Sequence, residues 1–315
     1  MKAIVLQGFG GVEKLLMKEL PMPVLSSNEV LIEVRAISIN PVDVRTRQGS
    51  AMADYLKDNH PLILGWDISG VVKETGQKVS KFKTGDEVFG LINFLGHGKG
   101  YAEYVAAPES NLALKPDNIT YVEAAAATLS ALTAWQLLHN YAKLKKGDRV
   151  LILAASGGVG HYAVQIAKFI GAYVIGVSSS KNKEFVLELG ADEHVAYDEA
   201  NFEDVVAEVD IVVDAFSKES LFKSLQIVKS NGMILSLLPF ISEEVLAKAK
   251  EKKVDIHYSL VKSSGADMDM IAGLLAKGGI KSYVSEVFSF ADMRKAHLSM
   301  ESERTVGKIV VQVSK

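Results

Sequence analysis

Cysteine is absent from this sequence of 315 residues. Its absence excludes disulfide bonds, a thiolate nucleophile and every zinc site that depends on cysteine ligands. Histidine is present, but without the spacing expected of metal ligands, at His60, His97, His139, His161, His194, His257 and His297. The sequence therefore predicts a protein that uses no metal.

Long apolar runs and a strong net charge are also missing. No segment reaches the roughly 18 consecutive apolar residues expected of a membrane-spanning helix. The apolar run at residues 3–6 is too short for a secretory signal peptide, so we expect a cytoplasmic protein. The formal net charge of −3 gives no electrostatic reason for binding nucleic acid or an anionic membrane. We therefore expect neither nucleic acid nor a membrane as a partner.

Turn residues and hydrophobic patterning divide the chain into two parts. Up to about residue 120, short apolar runs between turn residues predict strands at 2–6, 29–39, 68–74, 87–91 and 103–107. An alanine-rich helix is predicted over 121–141, and strands then alternate with helices. The strands of this second part are predicted at about 150–154, 173–178, 193–196, 210–214, 232–237 and 255–259. This alternation is typical of a Rossmann fold, a doubly wound parallel sheet.

The most informative segment follows the first strand of the second part. Residues Ala155 to Gly160 fit the dinucleotide fingerprint G-x-G-x-x-G, with Ala155 in the first glycine place. A missing Cβ at Gly157 lets the backbone approach a pyrophosphate, and at Gly160 it lets the following helix pack closely on the strand. The helix N-terminus then offers N–H groups to the phosphates. The expected cofactor contacts here are Ser156, Gly157, Gly158, Val159 and Gly160.

The end of the next predicted strand indicates which dinucleotide binds. NAD sites place Asp or Glu there, to bind the adenosine ribose 2′-hydroxyl. This sequence instead has Ser178, Ser179, Ser180 and Lys181, with Lys183 just beyond. Hydroxyl and ammonium groups would bind a 2′-phosphate, so we predict NADP(H), with Ser178, Ser180 and Lys181 as contacts. The alternative is that this cluster is a polar turn that caps the next helix.

Several further motifs point to one family. They are Ile39-Asn-Pro-Val-Asp43, Leu64-Gly-Trp-Asp-Ile-Ser-Gly-Val-Val72, Gly85-Asp-Glu-Val-Phe-Gly90, Ala131-Leu-Thr-Ala-Trp135, Leu189-Gly-Ala-Asp192 and Arg304-Thr-Val-Gly-Lys-Ile-Val-Val311. With them, the whole sequence resembles the medium-chain dehydrogenase/reductase superfamily, and within it the zinc-free, zeta-crystallin-like quinone oxidoreductases. The resemblance implies an α/β protein with a mainly β GroES-like catalytic domain (1–122 and 261–315) and a Rossmann NADP-binding domain (123–260).

The resemblance also shows which zinc ligands are missing. Zinc-dependent members place a cysteine near Asn40 to Asp43, and His-Glu after a glycine where this chain has Gly65-Trp66-Asp67. Neither Asn40 nor Trp66 is a credible zinc ligand. Without a Lewis acid, the enzyme needs acceptors that delocalise the charge left by hydride addition, such as quinones and α,β-unsaturated carbonyl compounds. The implied activity is zinc-free, NADPH-dependent reduction of such compounds.

Three residues of the first part are candidate catalytic groups. The amide of Asn40 could donate a hydrogen bond to a substrate oxygen, although Asn40-Pro41 could equally be a turn in which Asp43 caps the next turn. Tyr55 and Tyr101, in predicted loops beside the expected cleft, could donate a proton. Tyrosines in such places are more often half-buried packing residues.

Four further residues are candidate cofactor contacts. The resemblance places Thr133 beside the nicotinamide and Tyr197 at the adenosine phosphate end. A helical threonine usually bonds its own backbone, and Tyr197 could simply cover the sheet. Phe216 and Leu237 follow the fourth and fifth predicted strands, at the carboxyl edge where open α/β sheets bind ligands.

The sequence leaves two alternative functions open. One is another enzyme of the same fold, an enoyl-thioester or other double-bond reductase, or an alcohol dehydrogenase with an unusual metal. The other is a non-catalytic NADPH-binding protein with a structural or RNA-associated role, as zeta-crystallin-like proteins can have. For the assembly, residues Val254 to Leu260 form the expected edge strand of the sheet, and pairing of two such edges predicts a homodimer.

Overall fold

The computed structural model describes residues 1–238 and 240–314, which form two compact units. The first unit contains residues 1–132 and 262–315, and the second contains residues 133–261. Residues 123–132, which the sequence assigned to the second domain, lie in the first unit. Ala125 and Ala126 pack there on Ala36 and Val310, so this segment is part of the first unit's core.

The amino-terminal part of the first unit is rich in strands. Its elements are β1 (Lys2–Leu6), β2 (Leu15–Glu19), β3 (Glu29–Ile39), α1 (Pro41–Arg47), α2 (Ala53–Leu56), β4 (Asp67–Thr75), β5 (Glu87–Leu91), β6 (Tyr104–Pro108), β7 (Leu112–Leu114), α3 (Tyr121–Ala126) and α4 (Leu129–Trp135). The five strands predicted in this part are present, with ends shifted by at most one residue. Short β2 and β7 and the helices α1 and α2 lie in segments that the sequence left as turns.

The helix predicted over 121–141 is interrupted, so that prediction was wrong in detail. Helix α3 ends at Ala126, α4 starts at Leu129, and a π-helical segment occupies Gln136–Tyr141. At the break, Thr128 Oγ1 donates to the carbonyl of Ala125 (2.8 Å), and the N–H of Leu129 donates to Asp67 Oδ1 (3.0 Å). Tertiary hydrogen bonding to Asp67 thus competes with continuation of the helix.

The second unit alternates strands and helices. Its elements are β8 (Arg149–Leu153), α5 (Gly160–Ile170), β9 (Tyr173–Ser178), α6 (Lys183–Glu188), β10 (Glu193–Ala196), α7 (Phe202–Val205), β11 (Val209–Asp214), α8 (Lys218–Ile227), β12 (Val228–Ser236), α9 (Glu243–Lys252) and β13 (Asp255–Tyr258). The strands are parallel, in the order β10-β9-β8-β11-β12-β13. This is the strand order of the Rossmann fold, which confirms the predicted fold class.

The carboxyl-terminal segment completes the first unit. Its elements are α10 (Gly265–Ala276), β14 (Val284–Ser289), α11 (Met293–Glu301) and β15 (Lys308–Gln312). Strand β15 pairs antiparallel with β3, with Ile309 opposite Ile39, in a sheet of order β14-β15-β3-β4-β5-β7. This register brings Lys308 next to the start of α1. Among the described residues, none of the helices has the length and apolar character needed to cross a membrane.

Candidate active site and cofactor site

The glycine turn joins β8 to α5 in the second unit. A Cβ built on Gly160 would lie 2.0 Å from the carbonyl oxygen of Ala154, so a larger residue cannot fit without movement of the backbone. On Gly157 the same atom would lie 3.2 Å from that oxygen. The turn is held to the next strand by the N–H of Ala155, which donates to Val177 (2.9 Å). The turn is thus built as tightly as the fingerprint predicts.

The N-terminus of α5 suits a phosphate group. Its N-cap residue, Val159, has an aliphatic side chain, so that side chain does not compete with a ligand for the N–H groups of the first turn. Backbone N–H groups and the positive end of the helix dipole favour an anion there. The glycine turn packs the start of α5 closely on β8, and the exposed N–H groups of this helix start fit the pyrophosphate of a nicotinamide dinucleotide.

The serine cluster at the end of β9 is arranged differently from the prediction. Ser178 is buried, and its hydroxyl is hydrogen-bonded to His194 Nε2 on β10 (2.8 Å). Ser180 donates from its N–H (2.8 Å) and from its hydroxyl (2.7 Å) to the carboxylate of Asp198. Lys181 is exposed. Of the predicted phosphate contacts, Lys181 therefore faces solvent, whereas both serines already have protein partners.

Asn182 connects this cluster to the glycine turn. Its Nδ2 lies 3.1 Å from Ser156 Oγ and 3.1 Å from Ser179 Oγ. The side chain therefore bridges the loops that follow β8 and β9. Asn182 thus joins the predicted pyrophosphate contact Ser156 to Ser179, which lies in the chain between the predicted 2′-phosphate contacts Ser178 and Ser180.

The other predicted cofactor residues also lie at the carboxyl edge of the sheet. Tyr197 follows β10 and Phe216 follows β11, and their side chains are 60% and 50% exposed. Leu237 follows β12 and is half-buried. Thr133 lies elsewhere, buried in α4 at the start of the second unit.

Asp214, at the end of β11, organises part of this edge. Its buried carboxylate accepts hydrogen bonds from the hydroxyls of Ser220 (2.7 Å) and Ser224 (3.0 Å) and from the N–H of Phe216 (3.0 Å). Its carbonyl accepts from the N–H of Leu237 (2.9 Å). Burial raises the pKa of this carboxyl group above its ordinary value. Asp214 thus orients the backbone of both predicted contacts.

A buried polar cluster surrounds Asn40 in the first unit. The N–H of Asn40 donates to Asp43 Oδ2 (2.8 Å) at the start of α1, as the turn interpretation expected. Its side-chain Nδ2 donates to Asp67 Oδ2 on β4 (2.7 Å). Its amide oxygen accepts a hydrogen bond from the ammonium group of Lys308, which also donates to Ser130 Oγ (2.9 Å). The amide of Asn40 is therefore held in one orientation.

Charge and burial oppose each other in this cluster. Burial raises the pKa of Asp67 and lowers that of Lys308, while the attraction between the two charges acts in the opposite direction on both groups. Burial, together with the negative charge of Asp67, raises the pKa of Asp43 to about 7. Two carboxyl groups thus share one buried ammonium group, and the proton count of the cluster can change near neutral pH.

Family models and several proteins of known name are similar to this chain. The family model described as alcohol dehydrogenase GroES-like domain matches residues 26–117, and the one described as zinc-binding dehydrogenase matches residues 189–311. The mitochondrial NAD(P)H oxidoreductase RTN4IP1 of Mus musculus is 32% identical over 99% of this chain and 89% of its own. The 2-methylene-furan-3-one reductase of Solanum lycopersicum is 32% identical over 99% of this chain and 79% of its own.

A solved structure, the quinone oxidoreductase from Coxiella burnetii, is 34% identical, with a TM-score of 0.93 over 100% of this chain and 99% of that one. The chain belongs to the quinone oxidoreductase branch of the medium-chain dehydrogenase/reductase superfamily. The resemblance found in the sequence is confirmed. With the glycine turn, it makes this protein an oxidoreductase that uses a nicotinamide cofactor.

Zinc, which one family description implies, does not fit the residues of this oxidoreductase. Asn40 already bonds Lys308 and Asp67, and the indole N–H of Trp66 donates to the carbonyl of Gly96 (2.8 Å). Among the described residues, no group of three or more His, Cys, Asp or Glu side chains could hold a metal ion. The positive charge beside Asn40 is the ammonium group of Lys308.

The two candidate tyrosines of this oxidoreductase have opposite surroundings. Tyr101 is fully buried, and its hydroxyl lies 3.0 Å from His297 Nε2. Burial and the negative charge of Asp43 raise the pKa of Tyr101 well above its ordinary value. Tyr55, on α2, is 72% exposed. The structure therefore brings Tyr101 to the Asn40 cluster through Asp43, and leaves Tyr55 at the surface.

Four important residues were missed from the sequence: Asp67, Asp198, Asp214 and Lys308. Asp214 ends a predicted strand at the edge that binds ligands, and this position was a usable signal. Lys308 lies within a motif that carried the resemblance, but its partner Asn40 is 268 residues away. Asp198 is 18 residues from Ser180 and gave no signal of its own, because only strand pairing brings them together.

Proposed function

We propose that this oxidoreductase uses NADPH to reduce quinones or α,β-unsaturated carbonyl compounds without zinc. The observation that carries the proposal is the hydrogen bond from Lys308 to Asn40, at the position where zinc-dependent relatives place a ligand. The names of two similar proteins, a quinone oxidoreductase and a 2-methylene-furan-3-one reductase, support the substrate class. A ring or chain with conjugated carbonyl groups accepts hydride at carbon and spreads the resulting charge onto oxygen.

The residues around Asn40 suit a reaction of this kind. NADPH, when bound, supplies the hydride. The Nδ2 group of Asn40 has a second hydrogen besides the one directed to Asp67. We propose that this hydrogen is donated to the substrate oxygen that becomes negative during hydride transfer. A proton is then added to that substrate oxygen or to the carbon next to the carbonyl group. Exposed Tyr55 remains a candidate donor, whereas the hydroxyl of Tyr101 is already paired with His297.

The second unit provides the cofactor contacts in this proposal. Residues 156–160 bind the pyrophosphate, because their backbone approaches closely and α5 begins there. Exposed Lys181 provides the positive charge for the 2′-phosphate of NADPH. Ser178 and Ser180, just before it in the chain, are the other proposed contacts of that phosphate. Tyr197, Phe216 and Leu237 line the carboxyl edge toward the rest of the cofactor, and Thr133 contacts the nicotinamide.

The assembly and the compartment are predictions of the same proposal. Strand β13 (Asp255–Tyr258) is the last strand of the parallel sheet, and among the described residues no strand pairs with its outer edge. Such an edge can pair with the same edge of a second copy. We infer a homodimer through this edge and a cytoplasmic location.

A substrate panel tests the function. NADPH oxidation is followed by the loss of the absorbance of reduced nicotinamide. The acceptors are 1,4-naphthoquinone, a 2-alkenal, a crotonyl thioester and a simple ketone, each tested with and without a chelator. We expect turnover of the quinone or the alkenal, unaffected by chelator. Loss of activity with chelator contradicts the zinc-free mechanism. Turnover of the thioester alone identifies an enoyl-thioester reductase, and tight NADPH binding without any turnover identifies a non-catalytic binding protein.

A further inference from the structure

A carboxylate already occupies the predicted phosphate contact Ser180. Asp198 Oδ1 accepts from the Ser180 N–H (2.8 Å), and Asp198 Oδ2 accepts from the Ser180 hydroxyl (2.7 Å). Ser180 and Asp198 meet because of the strand register: Ala196 on β10 lies opposite Ser178 on β9, and each partner is two residues further along its own segment. An N–H and an O–H that converge on two oxygens of one anion form a small anion-binding site.

The occupant of this site is negatively charged. The hydroxyl and the N–H of Ser180 stabilise the ionised form and hold the pKa of Asp198 below its ordinary value. The side chain of Asp198 is exposed, so it can move away without leaving an unpaired buried charge. A carboxylate here is therefore a displaceable substitute for an anionic ligand.

The site lies on the loop to which the proposed function assigns the 2′-phosphate. Lys181 follows Ser180 directly in the chain, Lys183 lies two residues further on, and both are exposed. Asn182, from the same loop, donates to Ser156 in the glycine turn (3.1 Å). A dinucleotide whose pyrophosphate lies at that turn would place its adenosine ribose toward this loop, next to Asp198.

We propose that Asp198 determines how strongly this protein discriminates between NADPH and NADH. Its carboxylate competes with the 2′-phosphate for both donors of Ser180, and it repels the phosphate as a like charge. NADH has a 2′-hydroxyl instead, which can donate to Asp198 and need not displace it. Lys181 favours NADPH and Asp198 disfavours it, so the wild-type protein binds both cofactors. The inference rests on the proposed position of the adenosine ribose.

Cofactor affinities of Asp198 variants test this inference. Dissociation constants for NADPH and NADH are measured by nucleotide fluorescence in Asp198→Ala and Asp198→Asn, without any acceptor, so the readout does not depend on turnover. We expect the Kd for NADPH to fall about tenfold in Asp198→Ala, with a smaller fall in Asp198→Asn, which keeps one acceptor oxygen. The Kd for NADH should not fall. An unchanged Kd for NADPH overturns the proposal.

Two controls separate occupation of Ser180 from a general charge effect. Glu199→Gln removes the neighbouring exposed charge but leaves Ser180 paired with Asp198, and it should change the Kd for NADPH by less than about twofold. In a Ser180→Ala background, the gain from Asp198→Ala should shrink, because the hydroxyl that it frees is gone. A gain of equal size in both backgrounds overturns competition for Ser180. Circular dichroism and melting temperature verify the fold of each variant.

The outcome differs from failure of the proposed function. If wild-type protein binds NADH more tightly and Lys181→Ala has no selective effect, the NADPH assignment fails, yet a gain of NADPH affinity in Asp198→Ala still supports the role of Asp198. If NADPH is preferred but Asp198→Ala changes nothing, the assignment stands and this inference fails.

Discussion

Lys308 donates a hydrogen bond to the amide oxygen of Asn40, and both side chains are almost completely buried. The contact joins the N-cap residue of α1 to the last strand of the chain. It sets the direction of the amide, since the oxygen that faces an ammonium group leaves Nδ2 to donate to Asp67. One buried cation therefore positions the proposed substrate contact and balances the nearby carboxylates.

Replacing Lys308 by Met should destabilise the protein and impair catalysis. Removal of the cation leaves the carboxyl group of Asp67 buried without its compensating charge, a loss on the order of 3 kcal/mol in the free energy of unfolding. Urea denaturation measures this loss, and kcat/KM for a quinone measures the effect on Asn40. The control, Lys295→Met, removes an exposed lysine and should be nearly neutral. A stable, fully active Lys308→Met variant would contradict the role described here.

Replacing Lys181 by Ala should weaken NADPH binding selectively. We expect the Kd for NADPH to rise about tenfold and the Kd for NADH to change less than twofold, because only NADPH has the 2′-phosphate. Fluorescence titration measures both constants. Lys248→Ala, an exposed lysine on α9, is the matched control. Equal losses for the two cofactors would rule out Lys181 as a phosphate contact.

Replacing Gly160 by Ala should disturb the glycine turn. The added Cβ would lie 2.0 Å from the carbonyl oxygen of Ala154, so the turn or the start of α5 must shift. We expect a loss of about 2 kcal/mol in stability and at least tenfold weaker dinucleotide binding. Gly273→Ala, on α10, is the matched control, because nothing lies within 4 Å of its built Cβ. That control should be neutral or slightly stabilising, and equal effects in both variants would contradict the argument.

The buried His297 should make stability depend on acid. Burial, with the nearby positive charge of Arg47, lowers its pKa to about 3 from an ordinary 6.5. Between these values the unfolded chain binds a proton that the folded protein does not, so this group's contribution to stability is lost as the pH falls below 6.5. In the wild type, this group makes the free energy of unfolding fall as the pH drops from about 6 to about 4. In His297→Gln we expect that fall to be smaller by about 1 kcal/mol per pH unit.

The measurement for His297 is a difference between variant and wild type at each pH. Asp43, whose raised pKa acts in the opposite direction, is present in both proteins and largely cancels. His60→Gln, at an exposed site, is the control for the loss of a histidine side chain. A His297→Gln profile parallel to that of the wild type would show that His297 is not the titrating group.

Local sequence determined much of this architecture. Strand β3 (Glu29–Ile39) and strand β9 (Tyr173–Ser178) were predicted with their observed bounds, because apolar alternation and flanking turn residues act over a few positions. The same is true of the tight turn at Gly160, where the absence of a side chain is itself the signal. The helix over 121–141 was mispredicted because its break depends on Asp67, more than 50 residues earlier in the chain.

The sequence by itself determined the family, the parallel sheet and the glycine turn, since each depends on residue type and short spacing. Only the tertiary structure decided what the polar side chains do. It turned Ser178 inward to His194, gave Ser180 to Asp198 and placed Lys308 against Asn40. These contacts depend on strand register, which is set by packing over the whole sheet and cannot be deduced from the spacing of the partners along the chain.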